Sequence, residues 1–283
     1  MFIDFSSRPP VPELTLRAPH LANYRRVYQA SEAQVHATQG EDALAGYLAT
    51  YDRLGARAVV IKARDLESTF GVKIANEDVA QFCRRHGDRY IGFAGVDPHK
   101  GEQAVRDLEY AVRELGLRGL NVQCFEHKLP IDDPLLRPLY AKCVELDIPV
   151  NIHCGTNFSV HSLMEYGHPR GLDRVMCAFP SLRVCASPPG WPWVQDLIGV
   201  AWRHPNVWIG VLAVRPHLLT KPHSGYEPLL QYGKSVLKHR MVWGSAYPMM
   251  PVERTLDELR ALPMPDEVRQ AWLLDNAEAL LRL

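Results

Sequence analysis

Two side chains that could do chemistry stand at the ends of predicted β-strands, far apart along the chain. Arg8 follows an apolar run at residues 2–5, and His153 ends another run at residues 148–153. A guanidinium binds a carboxylate or enolate oxygen and stabilises negative charge, and an imidazole exchanges protons near neutral pH. We therefore predict that Arg8 binds an anionic group and that His153 moves a proton. The alternative for Arg8 is an ion pair to Asp4 or to another acid of the pocket, and the alternative for His153 is a side chain that is only hydrogen-bonded to a neighbour.

Polar residues at other strand ends could position a substrate beside this pair. Asn121 and Gln123 alternate along one strand, so both side chains face the same way and could orient a substrate carbonyl. Equally, the two amides could be hydrogen-bonded to other protein groups and could simply fill a layer of the barrel core. Ser6, Arg215 and Tyr247 also follow strand ends, and we predict that they contact the substrate.

Further basic residues lie at the ends of the second and seventh predicted strands. Lys62 and Arg64 end the second, and Arg215 and His217 follow the seventh. Together with Arg8 they could form a cationic rim for an acidic substrate. We interpret Lys62, Arg64 and His217 as solvated surface charges and assign only Arg215 to the substrate.

Eight strand-like runs must position these residues. They alternate with helix-like segments whose apolar residues recur every three or four positions, at a mean spacing of roughly 34 residues. This alternation predicts an α/β fold with a parallel sheet. A single (β/α)8 TIM-type barrel fits eight units better than a doubly wound sheet, which would carry a glycine-rich turn after its first strand. The predicted strands are residues 2–5, 57–62, 90–96, 117–123, 148–153, 182–187, 206–212 and 240–245.

A long connection separates the first two strands. We predict that residues 10–40, which are rich in Pro, Arg and Tyr, are an insertion over the C-terminal mouth of the barrel. Active sites of such barrels lie at that end. Neither an internal repeat nor a linker interrupts the pattern, so we predict one domain over residues 1–283.

The composition of the chain limits the kinds of molecule that it is expected to bind and the compartment in which it is expected to act. Equal numbers of basic and acidic residues, 32 of each, give no basic excess for nucleic acid. A membrane span needs about 18 consecutive apolar residues, and the chain has no such segment. We expect no signal peptide. The six cysteines form no CxxC pair, which favours free thiols in a reducing cytoplasm.

The order of several short segments resembles the amidohydrolase-related family over nearly the whole chain. The resemblance implies a barrel enzyme related to aromatic-acid decarboxylases, hydratases and lactonases. It also implies a metal held by a His-x-His pair on strand one, a His after strand five, a His ending strand six and an Asp after strand eight. The segments that carry it include Ile3-Asp4-Phe5, Gly92-Phe93-Ala94-Gly95-Val96-Asp97-Pro98, Ile148-Pro149-Val150-Asn151-Ile152-His153-Cys154-Gly155, Gly190-Trp191-Pro192-Trp193 and Gly244-Ser245 with Tyr247-Pro248.

The implied metal ligands are mostly replaced in this chain. Ser6 and Arg8 stand in place of the histidine pair, Pro188 in place of the strand-six histidine, and Ala246 in place of the aspartate, whereas His153 is kept. A catalytic zinc needs about three protein ligands. We therefore predict a site without metal or other cofactor. The alternative is a metal held by relocated ligands from among His99, His161 and His217.

These observations predict a metal-independent hydrolase or lyase, such as a decarboxylase or lactonase, that acts on a small organic acid. Its expected partner is a small-molecule carboxylate substrate. Two alternatives stay open: a catalytically silent barrel that binds a metabolite or protein, and a metal-dependent hydrolase with relocated ligands. Relatives in the resembled family are often dimers, so a homodimer is also left open.

Overall fold

The computed structural model describes residues 1–16, 18–27 and 41–283. Within them, parallel strands at the eight predicted places form a barrel, with ends that differ from the prediction by a few residues. These strands are β1 (Phe2–Ser7), β2 (Ala56–Lys62), β5 (Tyr90–Phe93), β6 (Leu120–Val122), β7 (Val150–His153), β8 (Val184–Ser187), β9 (Val207–Val211) and β10 (Met241–Trp243).

Short bridges join two runs of parallel strands into a closed barrel. One run has the order β1-β2-β5 and the other the order β10-β9-β8-β7-β6. A parallel bridge from Ala94 to Leu120 joins β5 to β6, and a bridge from Ser7 to Tyr247 joins β1 to the end of β10. The predicted (β/α)8 barrel is therefore confirmed.

The longer helices follow the barrel strands and cover the outside of the barrel, as the apolar spacing predicts, whereas some short helices lie in the connections at the mouth. They include α1 (Ala22–Val27), α2 (Glu41–Leu54), α3 (Glu67–Phe70), α4 (Asn76–His86), α5 (Glu102–Arg113), α6 (Cys124–His127), α7 (Arg137–Glu145), α8 (Pro169–Ala178), α9 (Val194–Arg203), α10 (Glu227–Gly233), α11 (Val252–Arg260), α12 (Asp266–Gln270) and α13 (Asn276–Leu281). A short antiparallel hairpin of β3 (Arg64–Leu66) and β4 (Val72–Ile74) follows β2.

Alternate residues of each barrel strand point to opposite faces. On β2, Ala58 and Val60 pack with Phe5 in the cluster that fills the barrel, whereas Val59 and Ile61 pack in the larger core beneath the helices. The same alternation places Lys62, two residues beyond Val60, on the inner face at the carboxyl end of β2.

The predicted insertion lies partly over the mouth. Its described residues contain 3-10 turns at Pro12–Leu14 and Pro19–Leu21, followed by α1. Asn23 donates a hydrogen bond to the carbonyl oxygen of Phe158, in the loop after β7, at 2.8 Å. The position over the mouth is therefore observed for the part of the insertion around His20 and Asn23, whereas the turn Pro12–Leu14 packs against α4. Residues 17 and 28–40 of the insertion lie outside the described residues. None of the described helices is long and apolar enough to cross a membrane.

Candidate active site

A buried carboxylate, Glu126, lies at the centre of the polar groups in the mouth. Its Oε1 accepts hydrogen bonds from Arg64 Nη1 at 2.8 Å and from His20 Nε2 at 3.1 Å. Burial opposes the charge of Glu126, but Arg64 and His20 lower its pKa overall. Since α6 follows β6, Arg64 follows β2 and His20 lies in the insertion, one carboxylate joins three parts of the mouth.

Arg8 extends from the end of β1 toward this centre. Burial and the charge of Arg64 lower its pKa to about 9, against the opposing effect of Glu126, so Arg8 is charged at neutral pH. Within residues 1–16, 18–27 and 41–283, its guanidinium has neither an ion pair nor a hydrogen bond. Arg8 therefore brings a positive charge into the mouth that no described carboxylate pairs.

Asp4, the alternative partner of Arg8, is fully occupied elsewhere. Its Oδ1 accepts from the backbone N–H of Ser6 at 3.1 Å and of Ser245 at 2.8 Å. Its Oδ2 accepts from the hydroxyl of Tyr51 on α2 at 2.7 Å. The carboxylate thus holds β1 against the end of β10 and against α2, and the ion pair between Asp4 and Arg8 is not formed.

His153 ends β7 with its ring buried in the mouth. The ring packs edge-on against Phe125 at a centroid distance of 4.6 Å, and Nδ1 has no hydrogen-bond partner among the described residues. Burial lowers its pKa to about 4, with Glu126 opposing and Arg64 adding to the shift. At neutral pH the imidazole is therefore uncharged and can accept a proton but not donate one as an imidazolium.

The predicted amides form a hydrogen-bonded row across three barrel strands. Asn121 Oδ1 accepts from Gln123 Nε2 at 2.9 Å and from Asn151 Nδ2 at 3.0 Å, and Asn121 Nδ2 donates to Ala63 O at 3.1 Å. Ser187 donates to Asn151 Oδ1 at 2.8 Å. Asn121 and Gln123 share a face, as predicted, and the bonds of Asn121 match the core-filling alternative. Among the described residues, Gln123 Oε1 accepts no hydrogen bond, so this oxygen is left for a ligand.

The remaining predicted substrate contacts lie in two places. Ser6 and Tyr247 adjoin at the junction of β1 and β10, where the N–H of Arg8 donates to Tyr247 O at 2.9 Å. Arg215 instead forms an ion pair with Glu258 of α11 through Nε at 3.0 Å. His217 Nδ1 lies 3.2 Å from the same carboxylate. Glu258 thus neutralises Arg215, and the role of Arg215 toward a substrate stays a prediction.

The surface interpretation of Lys62 and Arg64 is wrong. Arg64 has a side chain only 17% exposed and pairs with the fully buried Glu126. Lys62 is partly buried, with Nζ 5.2 Å from the ring centroid of Phe5 inside the barrel. The sequence signal was the strand alternation, which places Lys62 with Ala58 and Val60 on the inner face.

Sequence reasoning missed Glu126 and His20 entirely. Glu126 lies in the four-residue helix Cys124–His127, which is too short for an apolar period to reveal it. His20 lies in the insertion, where no periodic element indicated its direction. An acid three residues after a predicted strand end was the one available signal for Glu126.

The positions that the resemblance assigns to a metal do not supply a fitting set of donors. Ser6 and Ala246 adjoin, since Ala246 N donates to Ser6 O at 2.8 Å, so the implied strand-one and strand-eight positions do meet. Among the five implied positions, only His153 supplies an imidazole. Arg8 adds a fixed positive charge to the same mouth, which opposes a divalent cation. The residues at these positions therefore do not fit a catalytic metal ion.

Relocated ligands do not restore such a site within the described residues. Among the described residues, Asp173, Cys177 and His204 bring three possible ligand atoms within 4.8 Å of one another. This set lies on the outside of the barrel, away from the mouth. Arg203 Nη1 already pairs with Asp173 there, at 3.1 Å. The three histidines considered as replacements, His99, His161 and His217, belong to no such set in the described ranges.

Solved barrel structures are similar to this chain in fold, and decarboxylases are similar to it in sequence. An uncharacterized TIM-barrel protein from Bordetella bronchiseptica superposes with a TM-score of 0.80 at 28% identity, covering 99% of this chain and 98% of that one. A 5-carboxyvanillate decarboxylase from Novosphingobium aromaticivorans, complexed with manganese and 4-hydroxy-3-methoxy-5-nitrobenzoic acid, superposes with a TM-score of 0.64 at 16% identity, covering 100% and 96%. At that identity the second similarity shows the fold alone.

Sequence comparison extends the similarity to the family level. The gamma-resorcylate decarboxylase of Rhizobium radiobacter is 23% identical over 245 residues, covering 74% of this chain and 75% of that protein. A family model described as amidohydrolase matches residues 23–283, which is most of the chain. The chain therefore belongs to the amidohydrolase family, as the resemblance of its short segments predicted.

Proposed function

We propose that this protein is a metal-independent lyase or hydrolase of the amidohydrolase family that acts on a small organic acid. Aromatic carboxylates are the first candidates, because the named relatives are decarboxylases of such acids. The partner is a small-molecule carboxylate. One domain, a homodimer and a cytoplasmic location stay predictions; the six cysteines are all free thiols, which is compatible with the last.

The unpaired guanidinium of Arg8 carries this proposal. A charged group that is removed from water is costly unless a partner of opposite charge is present. Glu126 is already paired with Arg64, and Asp4 is bonded to Ser245 and Tyr51. A substrate carboxylate would supply the missing partner through two parallel hydrogen bonds.

His153 would be the proton acceptor beside that carboxylate. Because its imidazole is neutral at pH 7, it can take a proton from a substrate hydroxyl or from an attacking water. Glu126 lies close enough to raise the pKa of His153, so it favours the imidazolium that this step forms. Gln123 Oε1, Ser6 and Tyr247 would orient the rest of the substrate.

Ligand binding and turnover in Arg8→Gln test the proposal. A panel of hydroxybenzoates and small aliphatic carboxylates would be screened by thermal shift and by release of carbon dioxide. We expect stabilisation by at least one acid in the wild-type protein, loss of that stabilisation in Arg8→Gln, and full retention in the control Arg106→Gln. Arg106 is a suitable control because its side chain is 61% exposed on α5, outside the mouth.

His153→Gln then separates an enzyme from a silent barrel. We expect the variant to keep acid binding and to lose turnover by about two orders of magnitude or more, which is typical for removal of a general base. Binding without any turnover in the wild-type protein would contradict the enzyme and leave the silent barrel. Unchanged acid binding in Arg8→Gln would contradict the carboxylate-binding role of Arg8.

A further inference from the structure

Lys62 is an amine on the inner wall of the mouth with no assigned role. It follows Ala58 and Val60 on the inner face of β2 and ends that strand, where barrel enzymes place reacting groups. Nζ lies 5.2 Å from the ring centroid of Phe5. Lys62 is partly buried and ends β2, at the boundary between the apolar interior of the barrel and the mouth.

No acid in the described ranges pairs with this amine. Asp4 of β1 is the acid that acts on it electrostatically, but the oxygens of Asp4 are bonded to Tyr51, Ser6 and Ser245. By contrast, Lys100 has ion pairs to Asp65 at 2.6 Å and to Glu67 at 2.7 Å. Lys100 is therefore paired with acids in and next to the hairpin, whereas Lys62 has no ion-pair partner among the described residues.

The other described groups that act electrostatically on Lys62, Cys185 and Arg64, carry no negative charge at neutral pH. Burial raises the pKa of the Cys185 thiol on β8 to about 12, so Cys185 is neutral. Arg64 on β3 is cationic and repels an ammonium. Burial, opposed by Cys185 and Asp4 and supported by Arg64, lowers the pKa of Lys62 to about 7. A large share of Lys62 is therefore the free amine under physiological conditions.

We propose that Lys62 is a catalytic residue that forms a Schiff base with the carbonyl carbon of an oxo acid. Desolvation beside another cation is a general way to make a lysine nucleophilic. Ser7 of β1 pairs with Ile61 of β2, so the next residues, Arg8 and Lys62, follow at the same ends of neighbouring strands and could contact the carboxylate and the carbonyl of one molecule. The choice of an oxo acid over a neutral carbonyl compound rests on the proposed role of Arg8.

The steps balance for a β-oxo acid. The Lys62 free amine adds to the carbonyl carbon, one proton is taken up from solvent, and loss of one water gives the iminium. The bond to the carboxylate carbon then breaks, its electron pair moves into the iminium to form an enamine, and carbon dioxide leaves. The enamine carbon takes one proton from solvent, and one water hydrolyses the resulting iminium to release the ketone, the free amine and one proton.

Borohydride trapping tests this assignment on the whole protein. Acetoacetate and acetone would each be incubated with the wild-type protein, reduced with sodium borohydride, and mapped by peptide mass spectrometry. We expect a reduced adduct on Lys62 with acetoacetate, at least about tenfold more than on the exposed Lys234. Acetone should give about tenfold less adduct than acetoacetate, because it lacks the group that Arg8 binds.

The variants distinguish the two proposals. Lys62→Arg and Lys62→Met should each abolish the adduct, and the wild-type mapping needs neither variant to fold. In Arg8→Gln, acetoacetate should give no more adduct than acetone. Equal trapping of both compounds in the wild-type protein would contradict the role of Arg8 and leave the Schiff base in place. Trapping on Lys234 without any on Lys62 would overturn the assignment of Lys62.

Discussion

At the scale of single residues, the mouth is a set of charges whose pairing is incomplete. Glu126 neutralises Arg64, whereas Arg8 and Lys62 have no carboxylate partner among the described residues. An Arg8 guanidinium that is charged and has no partner, beside a Lys62 amine that is partly protonated near pH 7, favours an anionic ligand in this partly buried cavity. The neutral His153 adds an acceptor for protons rather than a third charge.

His153 makes stability depend on pH in a direction that can be tested. Its pKa is about 4 in the folded chain and near 6.5 when exposed, so the unfolded chain binds more protons between these values. Stability is therefore lost as the pH falls from 6.5 toward 4. Urea unfolding measures the free energy of unfolding at pH 7.5 and at pH 5. We expect His153→Gln to reduce the loss of this free energy between the two pH values by on the order of 1 kcal/mol. An equal loss in wild type and variant would contradict the buried neutral imidazole.

At the scale of elements, Asp4 joins the first and last strands of the barrel. Replacing it by alanine leaves the N–H groups of Ser6 and Ser245 and the hydroxyl of Tyr51 without their acceptor. We expect Asp4→Ala to lower the free energy of unfolding by about 3 kcal/mol, because each buried donor without a partner costs about 1 kcal/mol or more. Asp4→Asn keeps one acceptor oxygen and should lose about half as much. Equal losses in a denaturant titration would contradict the bonding to the backbone.

Gly244 marks the close approach at the same junction. A Cβ there would overlap Leu212 Cδ2 and would lie 3.0 Å from Ser6 N and 3.2 Å from Asp4 Oδ1. We expect Gly244→Ala to destabilise the protein by about 1–3 kcal/mol. The matched control is Gly199→Ala on the exposed side of α9, where a Cβ meets nothing within 4 Å. That change should stabilise by about 0.4–1 kcal/mol, and thermal unfolding of both variants checks the contrast.

The sequence could predict the elements but only part of the site. Long apolar strands such as Ala56–Lys62 have enough residues to show their period, so the barrel could be predicted. Three-residue strands such as Arg64–Leu66 and the helix Cys124–His127 are too short to show one. Arg8 and His153 could be placed by the strands that carry them. Glu126 could not, because tertiary contacts with His20, 106 positions away, set its place.

At the scale of the whole molecule, the two ends of the barrel have separate roles. The polar groups gather at the mouth, while Ala277, Leu280 and Leu281 of α13 join Ile3 and Val242 in the interior cluster. In such barrels the carboxyl ends of the strands carry activity and the opposite end carries stability. The C-terminal helix should therefore affect folding without touching the chemistry.

Leu280→Ala tests this separation. Leu280 is fully buried, so its truncation should cost about 2–5 kcal/mol of stability. The rate of turnover on any acid found in the screen, or the yield of the Lys62 adduct, should be unchanged at temperatures where the variant is folded. Loss of the adduct in folded Leu280→Ala protein would show that the two ends are coupled.

Metal content tests the central claim, that protein cations rather than a divalent ion occupy the mouth. The protein would be dialysed against manganese or zinc, freed of loose ions and analysed by mass spectrometry of the elements. The variant Cys177→Ser would be analysed beside the wild type, because it removes one of the three possible ligands of the surface set Asp173, Cys177 and His204. The account predicts well below one equivalent of metal in Cys177→Ser. Close to one equivalent in that variant, lost on further change of His153 to alanine, would contradict it.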